Sequence, residues 1–177
     1  MSTFKDRIIR SAKLDVSLYE EVEADKGALA QATTVVIASS VAAGIGSFQS
    51  GGFGGIFIGT IAALAGWYVW AWLTYLIGTK LLPEPQTKAD PGELLRTIGF
   101  SSSPGLIRVL GIIPGLTGIV FFASGIWMLI AMIIAVRQAL DYRSTLRAVG
   151  VCAIGWIIQM LVMWLLFPMM GGFGKTV

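Results

Sequence analysis

The charges of this chain are gathered into three short segments, and the stretches between them are apolar enough to cross a bilayer. Acidic residues occur only at Asp6, Asp15, Glu20, Glu21, Glu23, Asp25, Glu84, Asp90, Glu93 and Asp141. The apolar stretches are 27–46, 53–79, 97–115, 116–136 and 148–168, each near the roughly 20 residues that a transmembrane helix needs. Threading them as five spans puts 1–26, 80–96 and 137–147 on one face. That face then receives every acid and, of the 13 basic residues, all but Arg108 and Lys175. Such an excess of Lys and Arg makes the face cytoplasmic. The expected fold is all-α: a bundle of five transmembrane helices over 27–168, with a cytoplasmic amino-terminal segment 1–26 and an external tail 169–177.

Composition narrows the function. The 177 residues are 55% hydrophobic and 13% charged, with a mean hydropathy of +0.78, which lies outside the range of soluble domains. Cytoplasmic charge is nearly balanced, so no nucleic-acid footprint exists. The loop 137–147 sets Arg137, Arg143 and Arg147 against Asp141 and can touch anionic headgroups. Cys152 is the single cysteine and there is no histidine. The commonest metal ligand and general base are therefore missing, and neither cofactor, metal nor catalysis is expected. Residues 1–26 contain no continuous apolar core, so no cleaved signal peptide is expected.

Residues 3–13 read as a short amphipathic helix capped by Thr3, with Asp6 three residues on. Phe4, Ile8, Ile9 and Ala12 fall near one face. The helix is either an interfacial anchor or a frayed tail. Ser17, with Glu20 at the reciprocal position, starts a second short helix, and Asp25 caps the first span. Gln31, Thr33, Thr34, Ser39 and Ser40 turn that span toward other helices. The second span carries Gly51, Gly55, Gly59 and Ala63 at a spacing of four. Such a stripe lets another backbone approach closely, and a partner within the chain is the preferred reading. Asp90, Pro91 and Glu93 form a helix start. In the third span, Pro104 removes a backbone hydrogen bond, so a kink is expected there and the freed carbonyls need partners in the protein.

Arg108 is the one charge inside a span, at a cost of roughly 2.5–3.5 kcal/mol at the bilayer centre. It can snorkel to outer headgroups, bind a lipid phosphate or the carbonyls freed near Pro104, or serve a transport site. The tail Gly171-Gly172-Phe173-Gly174-Lys175-Thr176 imitates a phosphate loop, but Met169 stands where the first glycine belongs. Ser101 to Ser103 make no nucleophile elbow.

Several segments together resemble the YIP family, the Ypt/Rab-interacting membrane proteins. They are Leu18-Tyr19-Glu20-Glu21-Val22 followed by Asp25, Leu94-Leu95-Arg96-Thr97-Ile98-Gly99-Phe100 through Pro104, Ile126-Trp127, and Arg147-Ala148. The resemblance covers most of 15–168. It implies five spans, an inside amino terminus and a role in membrane organisation and traffic, exercised in eukaryotes through prenylated small GTPases. The family's Asp-Leu-Tyr-Gly-Pro stands here as Ser17-Leu18-Tyr19-Glu20-Glu21, and its Gly-Tyr as Gly99-Phe100. With only residues 1–26 before the first span, the chain is similar to the short bacterial or archaeal form, of the plasma membrane. These departures weigh against GTPase binding.

The function expected is that of a non-enzymatic organiser, or an assembly partner in a homo- or hetero-oligomer. The alternatives are a transporter or lipid-handling protein using Arg108 and the broken third span, or an accessory subunit. Residues 17–25 are too short a helix to stand alone. They are expected to dock on the cytoplasmic ends of the bundle through Tyr19, with Glu20, Glu21 and Asp25 on a surface whose cations include Arg96, Arg143 and Arg147. The competing reading is a solvated acidic linker.

Overall fold

The computed structural model describes residues 2–171, with side chains described to Val162 and at Trp164. Helix α1 is Phe4–Ala12, α2 Val16–Ala24 and α3 Ala28–Gly46. Helix α4, Phe48–Leu76, continues as a π turn over Ile77–Leu81. Helix α5, Pro91–Phe100, is followed by a 3-10 helix, Ser103–Ile112, and then by α6, Thr117–Ala139, and α7, Thr145–Gly171. The expected external tail lies, from Gly172 on, outside the described residues.

Local chemistry places most of the boundaries. Thr3 accepts from the Asp6 amide at 3.2 Å and starts α1. The cap of α2 is Asp15, whose carboxylate accepts from the Ser17 amide at 3.0 Å and the Ser17 hydroxyl at 2.7 Å. Ser17 therefore lies inside the helix and is not its cap. Asp25 accepts from the Gly27 amide at 2.9 Å, just ahead of α3. Asp90 and Glu93 make a reciprocal capping box with Pro91 in the first turn of α5. Gly52, at φ +54° and ψ −160°, breaks the helical path inside α4, and only glycine adopts that conformation without strain.

Among the described residues, four helices are long and apolar enough to cross a bilayer: α3, α4 with its π turn, α6 and α7. The expected third span, 97–115, is not a continuous helix of that kind. Pro104 has no amide proton to continue α5, and Ser101 and Ser103 turn their hydroxyls back to the carbonyls of Ile98 and Phe100 at 2.7 Å each. The carbonyls freed near Pro104 are thus taken up by serines rather than by Arg108. The 97–112 segment nevertheless runs along α3. A Cβ at Gly99 would lie 2.7 Å from that of Ala32, Gly105 faces Ser39, and Gly111 faces the Gly46 carbonyl.

The buried core sits at the charged end. Its largest members are Tyr19, Phe100, Leu18, Ile77, Leu94 and Leu140. Helix α4 buries Trp67, Ala71 and Thr74, and α7 buries Ala148, Val151 and Cys152, all in the halves nearer that end. In the opposite half, Phe53 and Phe122 are 82% and 72% exposed. Burial is densest where the charges lie. Toward the other end α3 stays packed on α4 and the 3-10 helix at Gly44 and Gly46, but large apolar side chains are exposed there, a surface suited to lipid.

The open face of α4 corrects the reading of the glycine stripe. Gly51, Gly55 and Gly59 have no described atom within 4 Å of where a Cβ would stand. The helix crossings pass instead through isolated glycines. Gly44 meets Ile56, Gly78 meets Leu140, and Gly46 lies against the Arg108 carbonyl and the Phe121 ring. Gly46→Ala pushes on a backbone carbonyl and is expected to lose about 1–3 kcal/mol. Gly59→Ala meets open space and is expected to gain about 0.5 kcal/mol from helix propensity. Thermal unfolding in detergent compares them, and equal losses would restore the stripe as an intrachain interface.

Candidate functional site: a charged cap and a membrane groove

The first three turns of the fold build a polar cap. In α1 the positions Phe4, Arg7, Ile8 and Ser11 share one face at helical spacing, and this face is turned inward. Arg7 and Ser11 are buried, and Phe4 and Ile8 pack against the core, while Ile9 stays exposed. The face expected from apolarity alone, with Ile9 in it, is not the one that docks. The Ser11 hydroxyl donates to the Phe100 carbonyl at 2.6 Å and lies 3.2 Å from the Tyr19 hydroxyl. Trp127 of α6 donates to the Ala12 carbonyl at 2.8 Å.

Arg7 is the hub of the cap. Its guanidinium reaches Glu21 and Asp25 at 2.9 Å each, and Gln31 of α3 at 2.9 Å. Glu21 also accepts from Ser2 and, at 2.6 Å, from Arg10. The Ser2 hydroxyl and the two arginines hold the Glu21 carboxyl down at about 2 against the pull of burial. Glu20 is exposed and meets Gln138 at 2.9 Å. Tyr19 is fully buried, and burial pushes its phenol up to about 12.

Of the cations named as facing these acids, Arg96 and Arg147 bond elsewhere. Arg96, buried in α5, donates to the Val22 carbonyl at 3.0 Å and to the Glu23 carbonyl, supplying positive charge to the C-terminus of α2. Arg147 lies 3.6 Å from Glu84. Glu84 accepts from the Arg143 amide at 3.0 Å and caps the start of α7. Tyr142 places its hydroxyl 2.9 and 2.7 Å from the Gly78 and Leu82 carbonyls, tying the α6–α7 loop to the end of α4.

Glu23 is left without a cation in ion-pair reach among the described residues. Burial, with Glu93 and Asp141 nearby, raises its carboxyl to about 7. Arg96 opposes the shift and Glu20 adds to it. Arg137 and Arg143 line the same hollow. Because the folded state binds this proton more tightly than the unfolded chain, the stability it confers is complete below the unfolded value near 4.5 and is lost as pH rises through about 7. The cap is therefore expected to tighten from pH 8 to pH 5.5, by about 1 kcal/mol once solvent screening is allowed for. Melting at the two pH values checks this, and an equal slope in Glu23→Gln would remove Glu23 as its source.

From the middle of the bundle toward the other end runs an open groove of about 510 Å³. Gly55, Gly59, Ala63 and Gly66 form one wall, so the stripe makes room where it was expected to make contact. Polar groups come from Ser39, Ser40, Ser47, Ser102, Gln159 and Arg108. Arg108 is partly buried. Its Nε donates to Ser124 at 2.8 Å, and its guanidinium lies 5.4 Å from the centre of the Phe121 ring. Trp70 also lines the groove, and its indole N–H is buried without an acceptor among the described residues. Pro104 is buried in the first turn of the 3-10 helix that carries Arg108.

The sequence reading singled out Tyr19 and Arg108 but passed over Arg7 and Ser11. Their signal was the 4-7-8-11 spacing, which is visible only once polar residues are admitted to an inward face. The family model for the Yip1 domain matches residues 17–167. No curated protein and no solved structure matches the chain.

Proposed function

The chain belongs to the Yip1 family, and on that premise we propose that it is a non-enzymatic integral membrane protein that organises other membrane components, its cap being the assembly surface. The observation that carries this reading is the construction of the cap. Arg7, Tyr19 and Arg96 fix α1 and α2 onto the bundle, so most of the chain's charge is displayed as one rigid surface on a membrane-embedded base. A preorganised surface loses little entropy on binding a partner. The test uses a photo-crosslinking residue at exposed Glu20 in native membranes. A discrete adduct that vanishes with Arg7→Ala supports the platform. Adducts unchanged by that substitution, or none, overturn it.

The same proposal includes five crossings, with the amino terminus inside and the carboxyl terminus outside. It is supported by the charge distribution and by the course of residues 97–112 along α3, from Ala32 to Gly46. Helix α5 and the 3-10 helix together form the third crossing, irregular backbone being tolerated where protein covers it. Cysteine labelling of positions 2 and 176 in a Cys152→Ser background decides the matter, and labelling of both from one side would overturn it.

A further inference from the structure

We propose that the groove is a binding site for one phosphate-bearing lipid, its phosphate on Arg108 and an acyl chain along the glycine wall. This goes beyond the assembly surface of the cap and does not depend on it.

The case begins with an unmet charge. Arg108 holds a cation inside an apolar bundle, where a charge is costly unless an anion or other polar groups pair with it. The chain has no acid between Glu93 and Asp141, none between Asp25 and Glu84, and none after Asp141. Each of its 10 acidic residues lies in the charged segments at the other end. No acidic side chain of the chain is therefore placed to serve as its counter-ion.

The side chain is posed to receive one. Ser124 takes only Nε, and Phe121 supports the guanidinium. The two terminal nitrogens have no hydrogen-bond partner among the described residues, and Arg108 lines the groove. Two parallel N–H groups are the geometry that holds a phosphate in bidentate fashion. The depth also fits. The Arg108 carbonyl lies against Gly46, the last residue of α3, so the residue's backbone sits near the end of the bundle remote from the cap, on the side where headgroups lie, and its guanidinium reaches Ser124 within α6.

The rest of the groove suits a hydrocarbon chain. From Gly55 to Trp70, α4 rises about 22 Å. Gly55, Gly59 and Gly66 present no side chain, and Met128, Met132 and Trp156 stand opposite. Filling this space with an acyl chain covers apolar wall on both sides.

Native mass spectrometry of the purified full chain provides the test, with dioleoylphosphatidylglycerol, dioleoylglycerol, oleate and inorganic phosphate as probes. One phosphatidylglycerol is expected to bind per chain, and dioleoylglycerol, which lacks the phosphate, is expected not to bind. Arg108→Gln should weaken phosphatidylglycerol binding about tenfold or more, the loss of a charge-assisted pair. Arg108→Lys should keep part of it. Gly59→Leu, which fills the groove where a Cβ meets nothing, should reduce binding without lowering Tm. It keeps the test valid if Arg108→Gln fails to fold. Equal binding of dioleoylglycerol, or unchanged binding in Arg108→Gln or Gly59→Leu, would overturn the site. Displacement of the lipid by inorganic phosphate would show a free anion as the ligand, and displacement by oleate a carboxylate, and either result overturns the assignment. Crosslinking at Glu20 should be unaffected by Arg108→Gln, so the failure of one proposal is distinguishable from failure of the other.

Discussion

Arg7→Ala is expected to release α1 and α2 from the bundle and to lower stability by about 3 kcal/mol. The size follows from what the guanidinium joins. Its side chain is 3% exposed and bonds α2 through Glu21, the turn before α3 through Asp25, and α3 itself through Gln31. Removing it leaves the Asp25 carboxylate and the Gln31 amide without this partner at a partly buried junction, and leaves Glu21 to Arg10 and Ser2 alone; unpairing buried groups costs more than the pair contributed. Arg10 is the internal control. It also pairs with Glu21 and Asp15, but its side chain is 24% exposed, and a solvated pair is worth at most about 1 kcal/mol. Hydrogen exchange over residues 4–24 and detergent melting compare the two. If Arg10→Ala frees the helices as readily as Arg7→Ala, the cap is held by net charge rather than by this buried hub.

The contrast between Arg7 and Arg10 shows what a single sequence discloses. Neither stands out in the sequence as an inward-facing residue, because apolarity was the only criterion for an inward face. Burial of Arg7 depends on Glu21, Asp25 and Gln31, which lie 14 to 24 residues away in other elements. No local pattern records that convergence. The membrane helices were legible because hydropathy is a local quantity, and α3, α6 and α7 fall within a few residues of the expected spans. The expected third span was legible in its trouble, since Pro104 announces a break, but not in its outcome as a 3-10 helix.

Glycine spacing misled for a related reason. A period of four says that one face of α4 is small, and not whether that face is covered. The contacts that need glycine, at Gly46, Gly78, Gly99 and Gly105, are scattered over separate elements and have no period to detect. Helix ends show the same limit. Leu14 ends α1 at φ +62°, with the Asp15 amide reaching back to the Arg10 carbonyl at 3.0 Å. Glycine usually occupies such a position, so the stop carried no residue signal. Arg108 was found because an intramembrane charge is rare whatever its neighbours, although its partner Ser124 lies on another helix.

Tyr19→Ala is expected to be the most disruptive single change in α2, with a loss of about 3–5 kcal/mol, the range for truncating a buried aromatic. Tyr19 is 0% exposed in a cluster with Leu18, Val22, Leu94 and Phe100, and α2 packs on both α5 and α6. A helix of 9 residues is not stable alone, so removing its largest anchor should unfold it rather than loosen it. The ring and the hydroxyl can be separated. Tyr19→Phe gives up only the approach to Ser11, and Ser11 keeps its bond to the Phe100 carbonyl, so the loss should stay within about 1 kcal/mol. Glu20→Gln alters an exposed group that meets only Gln138 and should change stability by less than about 0.5 kcal/mol. Hydrogen exchange at amides 18–23 orders the three: alanine should bring them to the rate of an open chain, phenylalanine should leave most of the protection, and Glu20→Gln should match the parent. Protection surviving Tyr19→Ala would mean that Arg7 and Arg96 hold α2 by themselves, through Glu21, Asp25 and the Val22 carbonyl, with the aromatic core dispensable.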